Sequence, residues 1–84
     1  MIPLYGFLQG DTIGLLLLVT ETESIDAVGR KLMQAASVRV RPLDHFSVLH
    51  RGLVLDPEST VKDAGLEPLD RVDVVTRVAL TEPT

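Results

Sequence analysis

A run of apolar residues that turns abruptly acidic is the feature that most restricts the fold of this chain. The stretch TIGLLLLVTETES, residues 12–24, carries seven apolar positions from Ile13 to Val19 and then becomes polar and acidic. Seven residues are too few to cross a membrane, which takes about 20. They suffice for a β-strand, although a strand with one face in water normally alternates apolar and polar residues. We therefore expect a strand with apolar side chains on both faces.

The acidic half of the stretch predicts the start of a helix. Ser24 or Thr22 is a suitable N-cap, and Glu21, Glu23 and Asp26 place negative charge where a helix N-terminus favours it. Apolar residues then recur at helical spacing. The pattern predicts a helix over about residues 24–37.

Turn residues divide the rest of the chain into short strands. Gly10 can supply the positive φ of a tight turn, so residues 2–9 and 13–19 predict an antiparallel hairpin. The other predicted elements are strands over residues 46–50, 53–55 and 70–78 and one helical turn over residues 60–64, ended by Gly65. We expect a single domain over residues 1–78 and a mobile tail over residues 79–84.

The composition argues against several classes of function. The 84-residue chain has no cysteine, which excludes disulfides and thiolate metal sites and fits a reducing cytoplasm. Its formal net charge of −4 argues against nucleic-acid binding, and we interpret Arg39 and Arg41 as a solvated pair. The N-terminal residues lack the basic start of a secretory signal. We expect a cytoplasmic protein that binds neither nucleic acid nor membrane.

The second half of the chain has a layout found in a known superfamily. VLHRGLVLDPESTVKDAGLEPLDRVDVV, residues 48–75, combines a strand, a glycine turn, a short strand, Thr and Asp before one helical turn, and a valine-rich closing strand. With the hairpin and helix before it, this layout resembles the ubiquitin superfamily. The resemblance implies an α+β, ubiquitin-like β-grasp fold, in which a mixed sheet of about five strands packs one face against a long helix.

Four stretches carry a narrower resemblance. They are IPLYGFLQGD before the apolar strand, ESIDAVGRKL at the helix start, residues 39–42 after the helix, and TVKDAGLEPLDRVDVV near the end. The chain resembles the protein B family of bacterial toluene monooxygenase systems, the γ subunit of a diiron hydroxylase. This implies a non-catalytic accessory subunit of an aromatic-hydrocarbon monooxygenase. The subunit would dock on the large α subunit, which holds the diiron centre, and would itself need no cofactor.

The residues of the chain predict no catalytic or metal site. No glutamate has a histidine three positions later, as diiron bundles require. His45 and His50, the only histidines, would point to opposite faces of a strand. The serines lie outside any Gly-x-Ser-x-Gly turn, and the glycines form no phosphate-binding motif. We therefore expect no catalytic, cofactor-binding or metal-ligating residue.

The apolar strand predicts a docking surface instead. Alternation puts Ile13, Leu15 and Leu17 on one face of the strand, and Leu16 and Leu18 on the other. The ubiquitin-like register implied by the resemblance turns the first set towards the helix, which leaves Leu16 and Leu18 on the open face. The first strand is apolar on both sides, so its buried face stays undecided. Several adjacent apolar side chains on an open face are typical of an interaction site. The predicted partner-binding residues are Tyr5, Phe7, Leu16, Leu18, Leu49 and Val75.

A second hypothesis is a stand-alone ubiquitin-like adaptor, for instance a secretion-associated one. We expect no conjugation chemistry under either hypothesis, because the sequence ends LTEPT rather than in a Gly-Gly pair. The apolar strand also predicts a risk of self-association when the chain is isolated.

Overall fold

One mixed sheet and one helix form the computed structural model of the chain, which describes residues 1–41 and 43–77. The sheet order is β2-β1-β5-β3-β4, with β1 and β5 parallel and the other neighbours antiparallel. This topology confirms the predicted α+β, β-grasp architecture. The elements are β1 (Ile2–Leu8), β2 (Leu15–Val19), α1 (Ile25–Ala35), β3 (Phe46–His50), β4 (Leu53–Val54) and β5 (Arg71–Thr76).

The β1–β2 hairpin forms as predicted, but β2 begins two residues later than the apolar run. Gly10 has the expected positive φ, 92°. The Ile13 N–H donates to Asp11 Oδ1 at 3.3 Å, which holds Ile13 in the connecting turn rather than in the ladder. Ile13 is 48% exposed, so its predicted place in the core is wrong. Leu15 packs against the core at its edge, and Leu17 is buried in it.

The helix begins where its cap predicts. Ser24 Oγ accepts a hydrogen bond from the Ala27 N–H at 3.0 Å, and α1 runs over residues 25–35 rather than 24–37. Gly29 lies on its buried face, where an added Cβ would come 2.3 Å from the Phe46 ring. The glycine therefore allows β3 to approach the helix closely.

The second half of the chain follows the predicted order with shorter elements. Arg51 and Gly52 have φ of 57° and 79°, the double positive φ of a type I′ hairpin turn between β3 and β4. The predicted helical turn over residues 60–64 is a set of hydrogen-bonded turns, since the Ala64 N–H to Thr60 C=O bond is not continued into a helix. Gly65 ends it with φ of 75°. The tail expected over residues 79–84 lies outside the described residues.

The core lies between α1 and one face of the sheet, and its residues settle which side of β1 is buried. Leu4, Gly6 and Leu8 face inward, so Tyr5 and Phe7 face outward. The fully buried side chains of this layer are aliphatic, and the Phe46 ring packs against them while partly buried. The buried members of the layer are Leu4, Leu8, Leu17, Val19, Ile25, Val28, Leu32, Met33, Ala36, Val48, Val61, Leu66, Val72 and Val74.

Candidate docking surface

Exposed apolar side chains gather at one corner of the open sheet face. In the β1–β2 ladder Tyr5 pairs with Leu16 and Pro3 pairs with Leu18, so the four side chains share the face opposite α1. Tyr5 is 45% exposed, Leu16 58% and Leu18 53%. We call this group, Pro3, Tyr5, Leu16 and Leu18, the apolar corner. It contains three of the exposed large apolar residues of the described chain.

The other predicted partner-binding residues lie further along the same face. Phe7 follows Tyr5 on β1 and covers Gly14, where an added Cβ would come 2.6 Å from the ring. Leu49 on β3 pairs with Asp73, and Val75 on β5 pairs with Ser47. Leu49 and Val75 are half-buried. The six predicted residues therefore share one face, although they differ in exposure.

A charged pair divides this face, which the sequence interpretation missed. Arg71 and Asp73 lie on β5, where Asp73 pairs with both β1 and β3 and Arg71 pairs with β1. The Arg71 Nη2 donates to Asp73 Oδ1 at 3.0 Å, and the Arg71 Cζ lies 4.1 Å from the centroid of the Phe7 ring. The alternation in RVDVV places Arg71, Asp73 and Val75 on one face, which is the signal that could have located this pair. The predicted residues therefore do not form one continuous apolar patch.

A lysine covers part of the free edge of β2, beside the apolar corner. The Lys31 Nζ donates to the Leu18 carbonyl at 2.9 Å and to the Glu23 carboxylate at 3.1 Å. Because β2 ends the sheet order, its outer edge has no strand partner in the described chain. A lysine at such an edge opposes pairing with another strand.

A polar recess of about 250 Å³ opens beside the β3–β4 turn. At one wall His50 Nε2 lies 3.3 Å from Asp70 Oδ2, and the same oxygen accepts from the Glu67 N–H at 2.9 Å. These contacts hold the turn that leads into β5. The residues that line the recess are His50, Arg51, Gly52, Asp70, Arg71 and Asp73.

The described residues do not bring metal ligands together. His50 is bound to Asp70, whereas His45 is exposed in the segment before β3. No group of three or more His, Cys, Asp and Glu side chains within residues 1–41 and 43–77 could hold a metal ion. Likewise, no helix of the described part is long and apolar enough to span a membrane.

An ion pair ties the β1–β2 turn to the segment after α1. The Arg39 Nη2 donates to Asp11 Oδ2 at 2.8 Å, and the Asp11 side chain is nearly buried. The Arg39 hydrogen bond holds the pKa of Asp11 below its ordinary value; backbone N–H groups of Ile13 and Thr12 act in the same direction, and burial opposes them. The carboxylate in turn raises the pKa of Arg39. Arg39 and Arg41 are both exposed, as the interpretation of a solvated pair expects, but Arg39 also forms an ion pair that the sequence interpretation did not foresee.

The fold and this face define a class of protein. The chain is a ubiquitin-like β-grasp domain that carries an exposed apolar surface on the sheet face opposite its helix. The model of the family "Toluene-4-monooxygenase system protein B (TmoB)" matches residues 1–76, so the chain belongs to the TmoB family. Membership confirms the predicted resemblance, and it makes the chain an accessory component of a toluene-type monooxygenase system rather than an enzyme by itself.

Solved structures agree on the fold. A chain of "Toluene 4 monooxygenase HD Complex with Inhibitor 4-Bromobenzoate" is 24% identical with a TM-score of 0.84, over 90% of this chain and 98% of the other. A ubiquitin from Caldiarchaeum subterraneum is 21% identical with a TM-score of 0.72, over 94% and 96%. A ubiquitin-based designed protein is 18% identical with a TM-score of 0.76, over 98% and 95%. Comparison with curated protein sequences returns no match.

Proposed function

We propose that this chain is the γ, B-type subunit of a bacterial aromatic-hydrocarbon monooxygenase and docks on the large α subunit of the hydroxylase through its open sheet face. The observation that carries the proposal is the apolar corner, where Leu16 and Leu18 remain more than half exposed beside Tyr5. The docking residues are Tyr5, Phe7, Leu16, Leu18, Leu49 and Val75.

The energetics of the apolar corner favour a partner. Burying two leucine side chains is worth roughly 3–6 kcal/mol before the costs of association. Adjacent exposed side chains on a rigid sheet need little reordering when they bind, because the β1–β2 ladder already holds their Cα atoms in place. Such a surface matches the apolar core of a permanent subunit interface.

Family membership supports the choice of partner. The similar solved chain comes from a protein described as a toluene 4-monooxygenase complex, and the family itself is a component of that system. These facts favour the subunit over a stand-alone adaptor. In the proposal the diiron centre lies in the α subunit, and the assembly is cytoplasmic. The domain over residues 1–78 with its tail over 79–84 remains a prediction.

Replacement of the two exposed leucines tests the proposal. The double variant Leu16→Glu/Leu18→Glu should fold, because both side chains point away from the core. It should nevertheless fail to co-purify with the hydroxylase, because docking would bury two carboxylates against an apolar surface. Assembly is measured by co-expression with the other hydroxylase subunits and gel filtration, with far-UV circular dichroism as the folding check.

Val38→Glu is the matched control. Val38 is 85% exposed, but it lies after α1 rather than on the sheet. This variant should assemble as the wild type does. A folded double leucine variant that assembles with unchanged affinity would show that the open face is not the interface.

A further inference from the structure

Arg71 is held in place at the centre of the open face before any partner arrives. Its Nε and Nη2 donate to Asp73 Oδ1 at 3.2 and 3.0 Å, and its Cζ lies 4.1 Å from the Phe7 ring centroid. The ring restrains one side of the guanidinium and Asp73 restrains one edge. The side chain is still 63% exposed. Arginine is enriched among the residues that contribute most to binding energy in protein interfaces.

The second edge of the guanidinium has no acceptor among the described residues. Asp73 takes the hydrogen bonds of Nε and Nη2 with a single oxygen, whereas Nη1 makes none within the described chain. In the free subunit water can satisfy these donors. Docking of the open face would remove that water, and a buried charged donor without a partner is costly. The partner must therefore supply an acceptor at this point.

We infer that the large hydroxylase subunit presents an Asp or Glu carboxylate to Arg71, and that this contact sets the register of docking on the open face. A carboxylate matches the open Nη1–Nη2 edge with two parallel hydrogen bonds. The apolar corner supplies most of the buried area on one side of this contact. On the other side of the contact, Leu49 and Val75 supply the rest of the buried apolar area. The inference rests on the proposed open-face docking and adds the chemistry that its centre requires.

Two substitutions at Arg71 distinguish a charged acceptor from a neutral one. Arg71→Lys keeps the charge and loses the planar fork, whereas Arg71→Gln keeps N–H donors and loses the charge. Opposite a carboxylate, R71K should weaken binding by about threefold to tenfold and R71Q by at least about thirtyfold. Binding is measured by titrating the labelled full chain into hydroxylase purified without its B subunit.

Arg30 provides a close control on the opposite side of the molecule. Its Nε donates to Asp26 Oδ2 at 2.7 Å, and its Cζ lies 5.8 Å from the Phe46 ring centroid, so it repeats the arrangement on the helix. Arg30→Gln should bind the hydroxylase within about twofold of the wild type. Thermal unfolding of every variant identifies any loss of binding that comes from loss of folding. If R71Q is unstable, R71K still tests the contact.

The outcomes separate this inference from the proposed function. If R71Q binds as well as R71K, or both bind within twofold of the wild type, the carboxylate contact is wrong. If the Arg71 variants give that result and the Leu16→Glu/Leu18→Glu variant still loses binding, docking through the open face is supported and only the carboxylate contact fails. If the leucine variant binds normally, the open face is not the interface and both proposals fail.

Discussion

The two faces of the sheet carry similar apolar residues and differ in exposure. On the inner face Leu17 and Leu4 are buried against α1. On the outer face Leu16 and Tyr5, their immediate chain neighbours, are about half exposed. Because side chains alternate along a strand, one backbone serves both faces. The comparison shows that hydrophobicity alone does not identify the core, because an apolar face is buried only where another element, here α1, covers it.

The sharpest way to test the comparison is to truncate adjacent leucines of β2. Leu17→Ala should lower the free energy of unfolding by about 2–5 kcal/mol, since it leaves a cavity under α1. Leu16→Ala should change it by less than about 0.5 kcal/mol, because that side chain stands in water. Chemical denaturation of the isolated chain measures both. Equal losses would mean that the open face also packs against part of the chain.

Two glycines next to phenylalanine rings test the same contrast. An added Cβ at Gly29 would meet the Phe46 ring at 2.3 Å within the helix–sheet layer. Gly29→Ala should therefore cost about 1–3 kcal/mol, despite the better helix propensity of alanine. At Gly14 the Cβ would meet the Phe7 ring at 2.6 Å on the open face, where the ring can move away. Gly14→Ala should cost less in the same denaturation assay; a larger loss there would contradict the comparison.

The β2 edge tests whether the outer surface is protected when no partner is present. Lys31→Met removes the ammonium bound to the Leu18 carbonyl and leaves the β2 edge beside the apolar corner without its lysine. We expect more dimer or larger species in sedimentation velocity, with a change in unfolding free energy of less than about 1 kcal/mol. Lys62→Met, in the turn segment before β5, is the control. If both variants self-associate equally, Lys31 does not protect the β2 edge.

The smallest effect concerns the ion pair that fixes the β1–β2 turn. Asp11 has a pKa below its ordinary value of 3.8, so the pair stabilises the fold above that pH. The contribution should disappear as the pH falls through the lower, folded-state pKa. Asp11→Asn should therefore be less stable than the wild type near neutral pH and approach it in strong acid. A difference in unfolding free energy that does not change with pH would show that the charge of Asp11 is unimportant.

Local patterns predicted most of the fold. The Ser24 cap, the Gly10 and Gly65 turns and the limits of β3 are all set by residues close in the chain, and the structure places them as expected. Ile13 was misplaced because the Asp11 side chain takes its N–H out of the ladder. A side-chain-to-backbone bond of this kind competes with strand pairing and leaves no trace in hydrophobic periodicity.

The face and the exposure of the candidate docking residues were predicted in part, whereas their role in docking stays a prediction. The ubiquitin-like register, together with the two-residue period of β2, assigned Leu16 and Leu18 to the open face, and both are exposed there. It did not locate Arg71 between Phe7 and Asp73, since that contact needs the parallel pairing of β1 with β5. The ion pair of Arg39 with Asp11 was also missed, because it joins two segments on either side of α1 that only the folded chain brings together.

By itself the sequence determined a strand with two apolar faces and a capped helix after it, and it offered no spaced motif typical of metal or nucleophilic chemistry. The tertiary structure alone decided which side of β1 is buried. It also placed a charged pair on the central strand of the open face. The physical reason is that alternation assigns side chains to faces locally, whereas α1 can cover only one face, and only the packed fold selects it.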